Sequence, residues 1–310
     1  MRVFIRHALR GFRGRIAMLQ TLYWRLHQNF LMQDRIPQYR AILAEAKARG
    51  YQFLTISDLA DCASKRARLP PLSLVLRNDV DSDCATARKM FEVDKALGIR
   101  ATYYFRLSTL YGLLMRDIQV YGAEVGYHFE EVAAAAKRYG FREPADVIPY
   151  LSSIRESFRR NIKRYRSVAG KFPKTVASHG DFANRAIRTS NCCIVDQEIR
   201  DEFGIVAESY DEWLNSPVTM RLADCAAPRW WSPTPLAAAL MQNPKCLYVL
   251  VHPRQWRANI RENIKIDVIR IAEGARLTAT RAIRQCAAGP AAHFWKCRAG
   301  HADRGIPFGP

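Results

Sequence analysis

Short apolar runs alternate with helical periods between residues 72 and 285, and this alternation constrains the fold more than any other feature of the sequence. The clearest unit follows the turn at Pro70-Pro71, continues as an apolar strand over 72–76, and passes into a helix that ends at Gly98. Strands that alternate with helices are typical of parallel sheets. The sequence therefore predicts a parallel α/β fold, either a barrel or an open sheet.

The same two patterns predict the remaining elements. Glycine and proline mark the ends of several of them, as at Gly50 and Gly98. Helices are expected over 37–49, 85–97, 108–121, 131–166 (with a break near Pro144 and Pro149) and 256–285, with a short helix and a loop over 56–71. Strands are expected over 51–55, 72–76, 100–106, 123–128, 175–180, 203–208, 217–223 and 246–253.

The charge of the chain is strongly basic, with a formal net charge of +19. Such a balance favours an anionic partner: nucleic acid, an acidic membrane surface or an anionic substrate. Residues 1–33 contain no acidic residue and predict a basic amphipathic helix that either lies on an anionic membrane or docks on the domain. We therefore predict three parts: this helix over 1–35, a barrel domain over 36–285 and a loosely ordered basic tail over 286–310.

The eight cysteines form no CxxC pair and no zinc spacing with histidine. This usage is typical of reduced thiols in a cytoplasmic protein. The sequence predicts neither a secretory signal nor a membrane span. The expected location is the cytoplasm, with the periphery of the inner membrane as the alternative.

Residues suited to metal binding or acid–base chemistry stand at the ends of four predicted strands. Asp79 and Asp81 follow the strand over 72–76, and His128, His179 and His252 each follow a later one. The chain has only seven histidines, so three at strand ends are more than chance placement gives. Because ligands bind at the carboxyl ends of parallel strands, we expect an active site at one rim.

The spacing of the acids limits what they can do. Asp79 and Asp81 lie two apart on extended chain and point the same way, so they can hold one cation, or one can ligate while the other acts as a base. Asp83 or Ser82 is expected to cap the following helix. One Asp with two His suits Zn²⁺, Fe²⁺ or Co²⁺ and fits hydrolysis of an amide or ester. The alternative for each His is a purely structural role, as a core side chain that is hydrogen-bonded to the backbone.

An ordered set of short motifs resembles the polysaccharide deacetylases, the superfamily of metal-dependent carbohydrate esterases, over about residues 40–260. The resemblance is greatest to the WbmS-like branch encoded with O-antigen and capsule biosynthesis. The motifs are Arg77-Asn78-Asp79-Val80-Asp81, the segment 98–105, Glu124-Val125-Gly126-Tyr127-His128, Ser178-His179-Gly180 and His252-Pro253.

This resemblance implies a fold and a set of roles. The fold would be a distorted (β/α)7-type barrel with helical additions at both termini. Asp79 would be the general base and His252 the general acid, while Asp81 and His128 would bind the metal. The second His of the family's His-x-x-x-His pattern falls on Val132, so we expect His179 to supply the third ligand. The candidate substrate contacts are Arg77, Tyr127, Asp224 and Trp230.

The implied function is an N-deacetylase that acts on an acetamido sugar in surface-polysaccharide assembly, with the sugar linked to a nucleotide or a lipid. Zn²⁺ is the expected metal, with Co²⁺ or Fe²⁺ as alternatives. A peripheral contact with an anionic membrane is expected, and a nucleic-acid partner is not. Two other readings stay open: a catalytically degenerate deacetylase-like binding protein, and a phosphatase that uses an Asp of Asp79-Val80-Asp81 as its nucleophile.

Overall fold

The computed structural model describes residues 19–287, which form a mixed α/β structure of two compact units. The first unit comprises the described residues up to Val125 together with Ser216–Ile266. The second comprises Gly126–Asn215 and the described residues from Asp267 onward. The expectations for residues 1–18 and 288–310 lie outside the described residues, and residues 19–26 are helical. The predicted three-part division of the chain stays a prediction.

Strands and helices alternate along most of the described chain, as the sequence predicts. The strands are β1 (Gln52–Leu54), β2 (Ser73–Val80), β3 (Thr102–Phe105), β4 (Glu124–Phe129), β5 (Thr175–Ser178), β6 (Ala207–Glu208), β7 (Met220–Asp224), β8 (Trp231–Ser232) and β9 (Cys246–Val251). The α-helices are α1 (Ile36–Ala48), α2 (Ile56–Ala63), α3 (Cys84–Ala96), α4 (Gly112–Val120), α5 (Glu131–Tyr139), α6 (Leu151–Ala169), α7 (Phe182–Ile187), α8 (Gln197–Phe203), α9 (Glu212–Asn215), α10 (Leu236–Met241) and α11 (Ile260–Ala287).

The sheet of the first unit has the strand order β3-β2-β9-β7-β8, with β1 paired to the start of β2. The pairs β1–β2, β2–β3, β2–β9 and β7–β9 are parallel. The pair β7–β8 is antiparallel, so the sheet is mixed where the sequence predicted a parallel one. The connection between these two strands is too short for a crossover helix, and a short connection reverses the chain.

Strand β2 is longer than predicted and is buried along its whole length. The apolar run accounts for its first half, and Arg77, Asn78 and Asp79 continue the same strand. Each of these polar residues is at most 2% exposed. A buried polar stretch requires internal partners, because burial of an unpaired charge is costly.

The second unit contains three parallel strands in the order β6-β5-β4. The strand predicted over 203–208 is mostly wrong. Phe203 ends α8, Gly204 adopts a left-handed conformation with φ 67°, and only Ala207 and Glu208 form a strand. Glycine tolerates this φ without strain, so it ends the helix.

The last helix begins later than predicted, because a single 3-10 turn over Pro253–Gln255 follows β9 before α11 starts at Ile260. Across residues 19–287, no helix is long and apolar enough to cross a membrane. The seven cysteines in this range are free, as expected for reduced thiols.

Candidate active site

The carboxylate of Asp79 is held by the guanidinium of Arg77 within the first unit. Arg77 donates from Nε to Oδ1 and from Nη2 to Oδ2, both at 2.7 Å. The two side chains share a face of β2 because residues two apart in a strand point the same way. Arg77 also donates to the Tyr248 hydroxyl at 3.3 Å and lies over the ring of Tyr104. The bidentate pair therefore fixes the orientation of the carboxylate that the sequence predicts as the general base.

The two acids that follow β2 have different surroundings. Asp83 caps α3: its carboxylate accepts from the backbone N–H of Thr86 at 3.0 Å and from the side-chain amide of Asn259 at 3.0 Å. The predicted cap is thus confirmed. Asp81 is half-buried, and its backbone carbonyl accepts from Arg106 Nη1 at 3.2 Å. Helix capping therefore accounts for Asp83, and Asp81 has no part in it.

His252 and Asp224 form a hydrogen-bonded pair at the ends of two neighbouring parallel strands, β9 and β7. Asp224 Oδ1 lies 2.6 Å from His252 Nδ1, and Oδ2 accepts from the His252 backbone N–H at 2.7 Å. The indole N–H of Trp256 also donates to Oδ2, at 3.0 Å. Three contacts hold Asp224, so the imidazole is bound at Nδ1 and presents Nε2 to its surroundings.

These surroundings favour a protonated His252. Burial lowers the pKa of the imidazole, but the charge of Asp224 and its hydrogen bond outweigh burial and raise the pKa to about 9. The carboxylates of Asp81 and Asp79 add to this rise. The raised pKa favours the imidazolium, which is the form that a general acid requires.

His128 and His179 lie together in the second unit, at the ends of β4 and β5. Their rings meet edge to face, with centroids 5.0 Å apart. His128 Nδ1 lies 2.9 Å from the backbone carbonyl oxygen of Ala177. A carbonyl only accepts, so Nδ1 carries the proton in this contact. This is the tautomer in which a histidine binds a metal through Nε2.

Two further side chains that could bind a metal lie near His179, those of Glu130 and Asp181. One ligand atom of each of Glu130, His179 and Asp181 lies within 4.8 Å of the others. His179 Nδ1 is 3.6 Å from Glu130 Oε2, and Lys137 donates to Asp181 Oδ2 at 3.3 Å. The sequence did not predict Glu130 and Asp181, although both stand within two residues of a strand-end histidine. That position is the signal that could have found them.

The other predicted residues are buried or already in contact with protein groups. Tyr127 is 1% exposed and donates its hydroxyl to Glu131 Oε1 at 2.6 Å. Trp230 is half-buried, and the guanidinium carbon of Arg35 lies 4.0 Å from its ring centroid. Val132 is fully buried in α5. The substrate contacts predicted for Arg77, Tyr127, Asp224 and Trp230 stay predictions.

No protein-family model and no curated protein matches the sequence. Seven chains of solved structures match it. IcaB from Ammonifex degensii has a TM-score of 0.40 and 15% identity, over 55% of this chain and 73% of that one. The BpsB deacetylase domain from Bordetella bronchiseptica has a TM-score of 0.40 and 12% identity, over 72% and 87%. Streptococcus pyogenes PplD, a deacetylase in complex with acetate, has a TM-score of 0.37 and 10% identity, over 71% and 84%. These likenesses are too distant to assign an activity.

Proposed function

We propose that this protein is a metal-dependent hydrolase that removes an N-acetyl or related N-acyl group from an amino sugar. The observation that carries the proposal is the His252–Asp224 pair, in which Asp224 Oδ1 lies 2.6 Å from His252 Nδ1 and raises the pKa of the imidazole. An acid and a base that face one reaction centre are what hydrolysis of an amide requires. The alternation of strands and helices supports a distorted (β/α)7-type barrel of the polysaccharide deacetylase kind.

Asp79 is the proposed base. Its two oxygens each accept one N–H from Arg77, at Oδ1 and at Oδ2. Arg77 thereby fixes the direction from which Asp79 takes a proton from the attacking water. In this proposal Arg77 positions Asp79 in addition to any contact with the substrate.

His252 is the proposed acid. Cleavage of an amide releases an amine, which leaves readily only when it is protonated. The imidazolium supplies that proton from Nε2, and Asp224 stabilises the charge before transfer and holds the ring in place afterwards. Asp224 therefore positions His252 and does not itself exchange a proton with the substrate. Trp256 in turn positions Asp224 through its indole N–H.

The proposed metal ligands are the three residues predicted from the sequence, Asp81, His128 and His179. The donor set fits a divalent transition metal, because the hydrogen bond from His128 Nδ1 to a carbonyl leaves Nε2 as the ligand atom. Zn²⁺ is the first choice, with Co²⁺ or Fe²⁺ as alternatives. When bound, such a metal polarises the acyl carbonyl and lowers the pKa of water. Val132 has no ligand atom, so His179 takes the place of the second histidine.

The proposed substrate is an acetamido sugar of surface-polysaccharide or O-antigen assembly, carried on a nucleotide or a lipid. Trp230 offers a partly exposed ring for a sugar face, and the net charge of +19 favours a phosphorylated carrier. The resemblance to the WbmS-like branch supports this choice of pathway.

The test is acetate release from nucleotide-linked and lipid-linked acetamido sugars, measured with and without a chelator. We expect the chelator to abolish release and Zn²⁺ to restore it. Asp79→Asn and His252→Ala should each lower the rate by at least about 100-fold. Asp117→Asn, an exposed Asp on α4, is the matched control and should leave the rate unchanged.

Other outcomes would replace this proposal. Chelator-insensitive turnover with a trappable aspartyl-phosphate would establish the phosphatase reading. Purified protein without stoichiometric metal, together with salt-sensitive binding of nucleic acid, would support a degenerate binding protein.

A further inference from the structure

The outward face of α11 is apolar along the part of the helix that belongs to the second unit. Val268, Ile271 and Ile283 are 61%, 70% and 69% exposed. They recur with exposed alanines at intervals of three and four residues, so they lie on one side of the helix. The side chains of this face are Val268, Ile271, Ala272, Ala275, Ala279, Ala282, Ile283 and Cys286.

The opposite side of α11 packs on the second unit, and the polar side chains of the helix on that side have partners there. Leu277 is 4% exposed. Glu273 accepts from Lys137 at 2.9 Å, and Arg281 Nε donates to the Phe141 carbonyl at 3.0 Å. The side that faces the protein therefore contains most of the charges, while the side that faces water contains most of the exposed aliphatic carbon. This is the reverse of an ordinary surface helix.

The exposed charges on this part of α11 are positive. Its two acidic residues, Asp267 and Glu273, are half-buried, and Glu273 faces Lys137. Arg276 is exposed at the edge of the apolar face. The first turns of the same helix, in the first unit, have exposed Ile260 and Ile264 beside Arg261 and beside Lys265, which pairs with Glu262 at 3.3 Å.

We propose that this face of α11 lies on an anionic lipid surface. An apolar stripe bordered by cations is the pattern of a helix that inserts shallowly between lipid headgroups. A second copy of this chain is the poorer occupant, because two faces bordered by arginine on chains of net charge +19 repel each other. The proposal concerns a different element from the basic N-terminal helix predicted over 1–35 and does not depend on the proposed activity.

The test is co-sedimentation of the full-length protein with vesicles of phosphatidylcholine that contain about a quarter phosphatidylglycerol. We expect binding that weakens from about 0.1 M to about 1 M salt and is lost on pure phosphatidylcholine. The variant Val268→Gln/Ile271→Gln/Ile283→Gln should bind at least about tenfold more weakly. Glutamine is a good helix former, so these exposed substitutions preserve α11.

The matched control is Val120→Gln/Ile148→Gln/Met241→Gln, which removes three equally exposed aliphatic side chains from other elements. It should bind like the wild type. Undiminished binding by the α11 variant would overturn the proposal and assign any lipid contact to another segment. A wild type that fails to bind, or an α11 variant whose sole change is a smaller oligomer by light scattering, would also overturn it. Turnover of a water-soluble substrate should be equal in all three proteins, which separates this test from that of the proposed function.

Discussion

Asp224 determines the chemistry of His252, and the sequence predicted each residue without predicting the pair. Register explains the contact: Ala223 lies opposite Leu250 in the β7–β9 pair, so Asp224 and His252 leave the sheet side by side. The two residues are 28 positions apart, and only the strand order brings them together. The predicted acid was therefore readable from a histidine that ends an apolar strand, whereas its partner required the topology.

The first prediction concerns the proton on His252. In Asp224→Asn the carboxylate charge is gone while burial remains, so the pKa of His252 should fall from about 9 toward or below the ordinary value near 6.5. The measurement is an NMR titration of the imidazole protons. The pH above which hydrolysis declines should fall with this pKa. Asp117→Asn is the control, and an unchanged pKa in Asp224→Asn would contradict the assignment.

Asp94 supplies a second prediction at the scale of a residue. It is 1% exposed and accepts hydrogen bonds from the hydroxyls of Tyr39 and Tyr103. Burial raises its pKa to about 7, although the two tyrosine hydrogen bonds oppose the rise. The folded protein thus holds a proton that the unfolded chain releases near pH 4. The stabilisation is complete below pH 4 and is lost as the pH rises through about 7.

This contribution amounts to about 4 kcal/mol at most, since each pKa unit corresponds to about 1.4 kcal/mol. Asp94→Asn keeps a neutral group of the same shape, so its free energy of unfolding should not show this decline between about pH 4 and 7. Urea denaturation across that range measures the difference from wild type, with Asp117→Asn as the control. Parallel curves for wild type and Asp94→Asn would exclude a raised pKa for Asp94.

Among the elements, the β2–α3 unit was the most predictable and the segment from 197 to 232 the least. The β2–α3 unit is defined by an apolar run, a capping Asp and a glycine that ends the helix. In the second, β6 and β8 each have two residues, too few for a period to be recognised. Glu208 belongs to this segment and was missed, although its buried carboxylate accepts from the backbone N–H groups of Ser178 and Tyr210, each at 2.7 Å. A carboxylate that accepts from backbone N–H groups in this way has no recognisable pattern in the neighbouring sequence.

Substitution of the residue that caps α3 tests whether Asp83 has a structural role while Asp81 binds the metal. Asp83→Ala leaves the Thr86 N–H and the Asn259 amide without this acceptor, and loss of an N-cap typically costs about 1–2 kcal/mol. We expect a lower free energy of unfolding in urea with metal content unchanged. Asp81→Ala is the matched comparison and should show the opposite: little loss of stability without metal, and loss of the metal itself. Metal loss in Asp83→Ala would contradict this division of roles.

At the scale of the whole molecule, the sequence predicted the α/β class and the strand-end positions of the candidate site residues, because both follow from periodicity. The net charge of the chain predicted less about how the molecule is built. The net charge of +19 indicates an anionic partner, yet α11 was predicted as a helix without any sign that its apolar face would be the exposed one. Periodicity shows that a helix has two faces, and only packing determines which face meets solvent.

Metal binding should appear in the stability of the entire chain. A ligand that binds only the folded state stabilises it by an amount that grows with its concentration, about 2.7 kcal/mol at 100 times the dissociation constant. We therefore expect Zn²⁺ to raise the melting temperature of chelator-treated protein, as followed by circular dichroism. His128→Ala should lose this rise because its Nε2 is a proposed ligand atom. His252→Ala should keep the rise while losing activity, since His252 is the proposed general acid and not one of the proposed ligands. Equal responses of the two variants to Zn²⁺ would refute the assignment of His128 and His252 to different roles.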